Sequence, residues 1–402
     1  MKKQPVPVFM YHSVGVPNIK WKWNYLTTHF EDFEKELIYL RNNDYCTISL
    51  DDLYNYIHYD EKIPKKSIIL TFDDGYVDNY IFAYPLLKKY GFKGTIFVNP
   101  EFIDPRDIIR KRFDESNKVI TKDTTGFLSW QELRLIEKDG IFDIQSHAMT
   151  HTWYPISSKI IGFRSNNDEN CWMTWNKYPQ KKPFLQIDDQ SLINLGDPVY
   201  ENEKSLMARR YFPNTKLRKY LIDFVEKNGG LSFFNQPNWE QILFNFKNKL
   251  IDDKKLVEGH YESDLDRLNR IKTELLESKS IIEQNLNKKV EYLCWPGGSA
   301  TKEGQIIAEE IGYKMTTAAR DIDSRLRKKI KNNGVIYSNR IARTSPVAYE
   351  SHKDGVRKVI YSKGFIMKLR ILAFCSHSIK RQFFAGIIIL IGLINNIFNS
   401  NR

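Results

Sequence analysis

Short apolar runs that stop at polar or charged residues recur along this chain, separated by segments whose apolar residues return every three or four positions. Val6 to Tyr11 is the first run, ending at His12. Ser67-Ile68-Ile69-Leu70-Thr71-Phe72 is β-branched, aromatic and uncharged, and it halts at Asp73-Asp74-Gly75. Such a run reads as a buried strand. A short strand is expected around Cys46–Ser49, and further ones at Gly94–Val98, in "FDIQSH", at Val290–Pro296 and at Tyr313–Ala318. Phe30, Phe33, Leu37 and Leu40 carry helical spacing, which predicts a helix over Phe30–Asn42. Helices are also predicted at Leu50–His58, at Tyr84–Tyr90 closed by Gly91, near Leu265–Leu286 and at Glu303–Glu310. Ser129 with Glu132 three residues on forms a capping box, predicting another helix start. Strands alternating with helices imply a mainly parallel sheet or barrel, with function gathered at the strands' C-terminal ends.

From about Trp153 to Tyr261 this rhythm breaks into a stretch rich in aromatics and turn residues. It reads as an insertion over the active face. The expected organisation is therefore a barrel from residues 1–153 and 262–350, an insertion over 154–261, and a tail over 351–402. In the tail, "KLRILAFCSHSIKRQ" precedes a twelve-residue apolar run, Phe383–Ile394. Twelve residues fall short of the ~17–25 that cross a bilayer. The segment suits either an amphipathic helix at a membrane surface or a terminal helix packed on protein.

Composition changes this picture at one place. The formal charge is +12, yet between Lys353 and Arg381 eight basic residues face a single acid, Asp354. A surplus held in the tail points to a membrane surface as readily as to nucleic acid, and no nucleic-acid module is recognisable. Cys46, Cys171, Cys294 and Cys375 are scattered with no CxxC pair, against a disulfide framework or cysteine-zinc site. "MKKQPVPVFMYHSV" has no apolar stretch of secretory length. The expectation is a cytoplasmic protein, peripheral at the inner membrane face.

Two adjacent carboxylates at a strand mouth are costly unless a cation lies between them or their roles differ, although Asp-Asp-Gly is also an ordinary turn. In "IQSHAMTHTWY", His147 and His151 stand four apart after another strand, a spacing from which two imidazoles can converge on one metal. Alone, either signal is weak. Together, one carboxylate and two histidines make an open metal site, and the spare carboxylate is left as a general base.

"TFDDG" and "SHAMTH" resemble the first two motifs of the NodB-type polysaccharide deacetylases, carbohydrate esterase family 4. "VPVFMYHSV", "YPLLKKYGFKGTIFV", "FLSWQEL" and "VEYLCWPGGS" agree in the family's order. The likeness is greatest to the permuted subgroup acting on poly-N-acetylglucosamine. It implies a distorted (β/α) barrel and a metal-dependent enzyme that removes acetyl from an N-acetylated sugar. By resemblance Asp73 is the general base, Asp74, His147 and His151 hold a divalent metal, with zinc the first choice, and His12 is the general acid. Gly297, beside Trp295 and Pro296, offers an N–H to the oxyanion, although the family's aromatic after the proline is a glycine here. Tyr292 stands where the family's base-orienting arginine is expected, and Arg340 in "YSNRIAR" is the substitute. Trp172, Trp175, Tyr200 and Trp239 are candidates for a saccharide platform, or else the core of a small subdomain. The expected partner is a polymer, or a lipid- or nucleotide-linked precursor of one. A metal-dependent amidase on a non-sugar C–N bond and a glycan-binding protein with a degenerate site stay open.

Overall fold

The computed structural model describes residues 3–17, 26–113, 124–166, 170–184, 190–254, 259–318, 330–345, 348–351, 357–361 and 364–399. Lys353, Asp354 and Lys363 of the basic tail lie outside the described residues. Two compact units emerge, Met1–Met149 with Glu274–Arg402, and Thr150–Thr273.

In the first unit seven parallel strands follow one another in chain order: β1 (Val8–Tyr11), β2 (Ser67–Asp73), β3 (Gly94–Val98), β4 (Phe142–Ser146), β5 (Tyr292–Leu293), β6 (Met315–Thr317) and β7 (Arg340–Ile341). Just past β7, Thr344 donates to the Val8 carbonyl and accepts from Met10, so the sheet nearly closes on β1 as a distorted (β/α) barrel. Residues from six of the seven strands share one interior cluster: Val8, Ile69, Phe97, Tyr292, Cys294, Met315 and Ile341. Alternation along each strand fixes which neighbouring residues point inward with them.

The expected helices form as α1 (Phe30–Asn42), α2 (Leu50–His58), α3 (Tyr84–Tyr90), α4 (Trp130–Lys138), α5 (Asp264–Leu286) and α6 (Lys302–Ile311). Ser129 and Glu132 close both hydrogen bonds of the capping box, and Gly91 ends α3 at φ 75°. β5 is shorter than its apolar run. Cys294 N–H still reaches the Ser146 carbonyl, but Trp295 N–H turns to the Thr317 hydroxyl, and Pro296 has no N–H to continue the ladder.

The second unit pairs Trp153–Phe163 antiparallel with Pro198–Lys204. Phe163, Leu217, Leu221, Val225 and Leu243 form its core. Its edges differ from the expected 154 and 261. Ser205 N–H binds the Thr152 carbonyl, while Arg270 grips Glu262 and the Ser205 and Ala208 carbonyls, which ties both flanks inward. Trp175 is fully enclosed, Trp172 and Tyr200 are buried, and half-buried Trp239 packs on the core cluster. The saccharide platform is therefore corrected for Trp172, Trp175 and Tyr200: aromatic faces enclosed this way stabilise the unit and offer no flat surface to a sugar, whereas half-buried Trp239 keeps part of its face outside the core.

The tail belongs to the first unit and forms two helices, α7 (Gly364–Cys375) and α8 (Ser378–Asn399). Gly364 sits where a Cβ would lie 2.5 Å from Tyr39 of α1, which allows close approach. Among the described residues no helix is long and apolar enough to cross a membrane.

Candidate active site

β1 and β2 pair with Tyr11 opposite Phe72, so the next residues, His12 and Asp73, emerge side by side at the barrel mouth. His12 shares inward parity with Val8, and Asp73 shares it with Ile69. His12 Nε2 lies 3.9 Å from Asp73 Oδ2, and both side chains are largely buried. At Asp74 the chain turns into the left-handed region, φ 71°, followed by Gly75 at φ 73°. That turn lets consecutive carboxylates serve one mouth, which an extended strand would forbid. A non-glycine residue there costs free energy, a cost typical of functional loops.

The second loop is built alike. Val98 pairs with Ser146 between β3 and β4, and His147 N–H then donates to the Val98 carbonyl at 2.8 Å. Ala148 and His151 also take positive φ, 58° and 44°. Buried Asn99 clamps this loop through its amide, which donates to the His147 and Ala148 carbonyls. His147 Nδ1 sits 2.8 Å from the Cys294 carbonyl, an acceptor only, so it carries the proton and Nε2 turns its lone pair toward Asp74 and the mouth. Nε2 lies 3.2 Å from Asp74 Oδ1. One ligand atom each from Asp74, His147 and His151 falls within 4.8 Å of the others. A carboxylate and two imidazoles at that separation suit a divalent ion of the zinc or late first-row type.

A second trio, Asp73, His147 and Cys294, is equally compact. It is the poorer cation site because a guanidinium already fills it. Arg343 donates from Nη1 to Asp73 Oδ1 at 2.6 Å and from Nη2 to Asp73 Oδ2 at 2.8 Å. Its Nη2 also lies 3.0 Å from Cys294 Sγ. The expected arginine, Arg340, is corrected here. Arg340 adjoins inward-facing Ile341 and so points out of the barrel, 3.6 Å from Glu309 on α6. Arg343 has the parity of Ile341 and turns inward over Phe97. Cys294 and Asn99 also serve the site, and no motif in the sequence marks either for that place. Residue parity counted from Ile341 was the one available signal for Arg343.

Charge at the site follows from this packing. Burial pushes the Asp73 carboxyl upward, but the charge and hydrogen bonds of Arg343, with smaller help from His147 and His12, hold it below the ordinary range. Asp73 is thus an ionised carboxylate at the mouth. Burial lowers His12, although the charges of Asp73 and Asp74 oppose it. Burial would also lower His147, yet Cys294, Asp74 and Asp73 together raise it well above its usual value. Such a pull toward positive charge is what a resident dication would satisfy with the imidazole neutral.

Trp295 and Pro296 are buried, and Gly297 is exposed with φ 58° at the C-terminal end of β5.

The sequence profile of the polysaccharide deacetylase family matches residues 60–178, which span both motif loops. The chain is 39% identical over 97 residues to the putative polysaccharide deacetylase YxkH of Bacillus subtilis (strain 168), covering 24% of this chain and 33% of that one. It is 28% identical over 221 residues to the poly-beta-1,6-N-acetyl-D-glucosamine N-deacetylase of Staphylococcus aureus (strain MRSA252), covering 52% of this chain and 69% of that one. Against the solved BpsB deacetylase domain from Bordetella bronchiseptica the TM-score is 0.49 at 15% identity, over 85% of this chain and 96% of that one. Asp73, Asp74, His147 and His151 lie inside the matched span, and His12, Cys294 and Arg343 lie outside it.

Proposed function

We propose that the protein is a metal-dependent N-deacetylase that hydrolyses the acetamide of an N-acetylated sugar, in a polymer or its lipid- or nucleotide-linked precursor. One observation carries this reading: Asp74, His147 and His151 converge beside a separate carboxylate, Asp73, held ionised by Arg343. The division of labour between the two aspartates follows from their partners. Arg343 occupies both Asp73 oxygens, whereas Asp74 faces His147 and His151.

A divalent ion bound by Asp74, His147 and His151 would polarise the acetamide carbonyl and stabilise negative charge developing on its oxygen. Asp73 accepts a proton from water as that water's oxygen bonds to the carbonyl carbon. The C–N bond then breaks, with His12 giving its proton to the departing nitrogen, and acetate and a free amine leave. Burial keeps the His12 imidazole neutral at rest, and the proton that Asp73 takes from water passes to it across 3.9 Å, forming the imidazolium that protonates the departing nitrogen. Gly297, exposed after Pro296, supplies a backbone donor for the oxygen.

The S. aureus relative's name supports a β-1,6-linked N-acetylglucosamine polymer as a first substrate to try. Metal-loaded protein should release acetate from at least one of a panel comprising N-acetylated nucleotide sugars, lipid-linked sugars and poly-β-1,6-N-acetylglucosamine. Release from simple non-sugar amides or cyclic imides alone would replace the sugar reading with the amidase one.

A further inference from the structure

We propose that α8 lies along an anionic lipid surface and carries the first unit to it. One face of α8 is spoken for: Ile388 is buried, with Phe384, Ile387 and Ile391 packed against Ile366 and Leu369 of α7. A second stripe, centred about 120° round the helix from those contacts, is apolar and open. Ile379, Phe383 and Leu390 are 82%, 65% and 56% exposed, at steps of four and seven, with exposed Gly386 between them. Those steps place all four within one narrow stripe of a helix. A helix apolar on both sides satisfies one side against protein and needs an apolar medium for the other.

Charge selects the occupant. From Gly355 to Arg402 the sequence has eight lysines and arginines and no aspartate or glutamate. Lys380 is exposed one residue from the stripe's first member. A second copy would bring the same positive charge to the interface, whereas anionic headgroups complement it while the acyl region receives the stripe. With one side of α8 held against α7, the helix offers its stripe sideways, so the geometry points to a helix lying in the surface.

The test is co-sedimentation of the full chain with phosphatidylcholine vesicles, with and without 30% phosphatidylglycerol, at low and high salt. The expected result is binding to the anionic vesicles, weakened by salt and reduced at least tenfold in the Ile379→Ser/Phe383→Ser/Leu390→Ser variant. Lys380→Glu, which leaves the stripe intact, should lose about threefold, and unchanged thermal unfolding of either variant shows that the fold persists. Equal binding to neutral and anionic vesicles, no binding, or a concentration-dependent dimer that the triple variant dissolves would each overturn the proposal. The readout is partition, so its failure leaves the deacetylase reading intact.

Discussion

Arg343 and Asp73 form the pair on which the proposed chemistry turns. A guanidinium that bonds both carboxylate oxygens keeps Asp73 ionised and fixes its direction, at the cost of burying two charges. Arg343→Ala leaves a buried carboxylate alone, so kcat for acetate release should fall at least 10²-fold with a smaller change in KM. Arg343→Lys should recover only a fraction, because one ammonium cannot copy the two-point fork. Steady-state kinetics on the released acetate reads both. A drop in substrate affinity with kcat preserved would mean that Arg343 binds sugar and does not orient the base. Asp73, Asp74, His147 and His151 were legible from sequence because their motifs sit at strand ends and the residue types dictate the chemistry. Arg343 was not, since Arg340 and Arg343 are three apart in "YSNRIAR" and only the closing of the barrel decides which faces inward.

Elements place these residues, and one buried acid holds two of the elements together. Asp78, in the turn after β2, accepts from the Ser13 hydroxyl beyond β1, while neighbouring Asn79 donates to the His12 carbonyl at 2.8 Å. Gly15 adds to this contact, since a Cβ there would lie 2.7 Å from Asp78 Oδ2. Burial pushes the Asp78 carboxyl up to about 7, against the opposing hydrogen bonds from Ser13 and nearby backbone N–H groups. The folded state therefore binds a proton that the unfolded state releases near pH 4. Stability from this group is complete at low pH and lost as pH rises toward and through 7, roughly 4 kcal/mol in all. Asp78→Asn, neutral at every pH, should flatten the fall in denaturant midpoint between pH 5 and pH 8. An unaltered slope would show that Asp78 is ionised in the folded protein. The helices were readable from periodicity and caps because those signals are local. β5 ran shorter than its apolar pattern because Thr317 and Pro296, one of them distant in sequence, set its end.

At the scale of the whole molecule, the aromatic stretch from Trp153 to Tyr261 became the core of a second unit. Its composition alone could not separate an exposed platform from a packed core, since both use the same residues. Trp175 is completely enclosed, so Trp175→Ala should cost about 3–5 kcal/mol and appear as an earlier unfolding transition in calorimetry. If that variant kept its stability and lost only saccharide affinity, the packing account of this unit would fail.

The claim beneath all of this is that Asp74, His147 and His151 hold one ion that Asp73 does not bind. Metal content per chain, by atomic emission on extensively dialysed protein, tests it most directly. Wild type and Asp73→Asn should each retain about one divalent ion, with Asp73→Asn losing acetate release by 10²-fold or more, while His147→Ala retains almost none. An ion kept undiminished by a folded His147→Ala, or lost by Asp73→Asn, would contradict it.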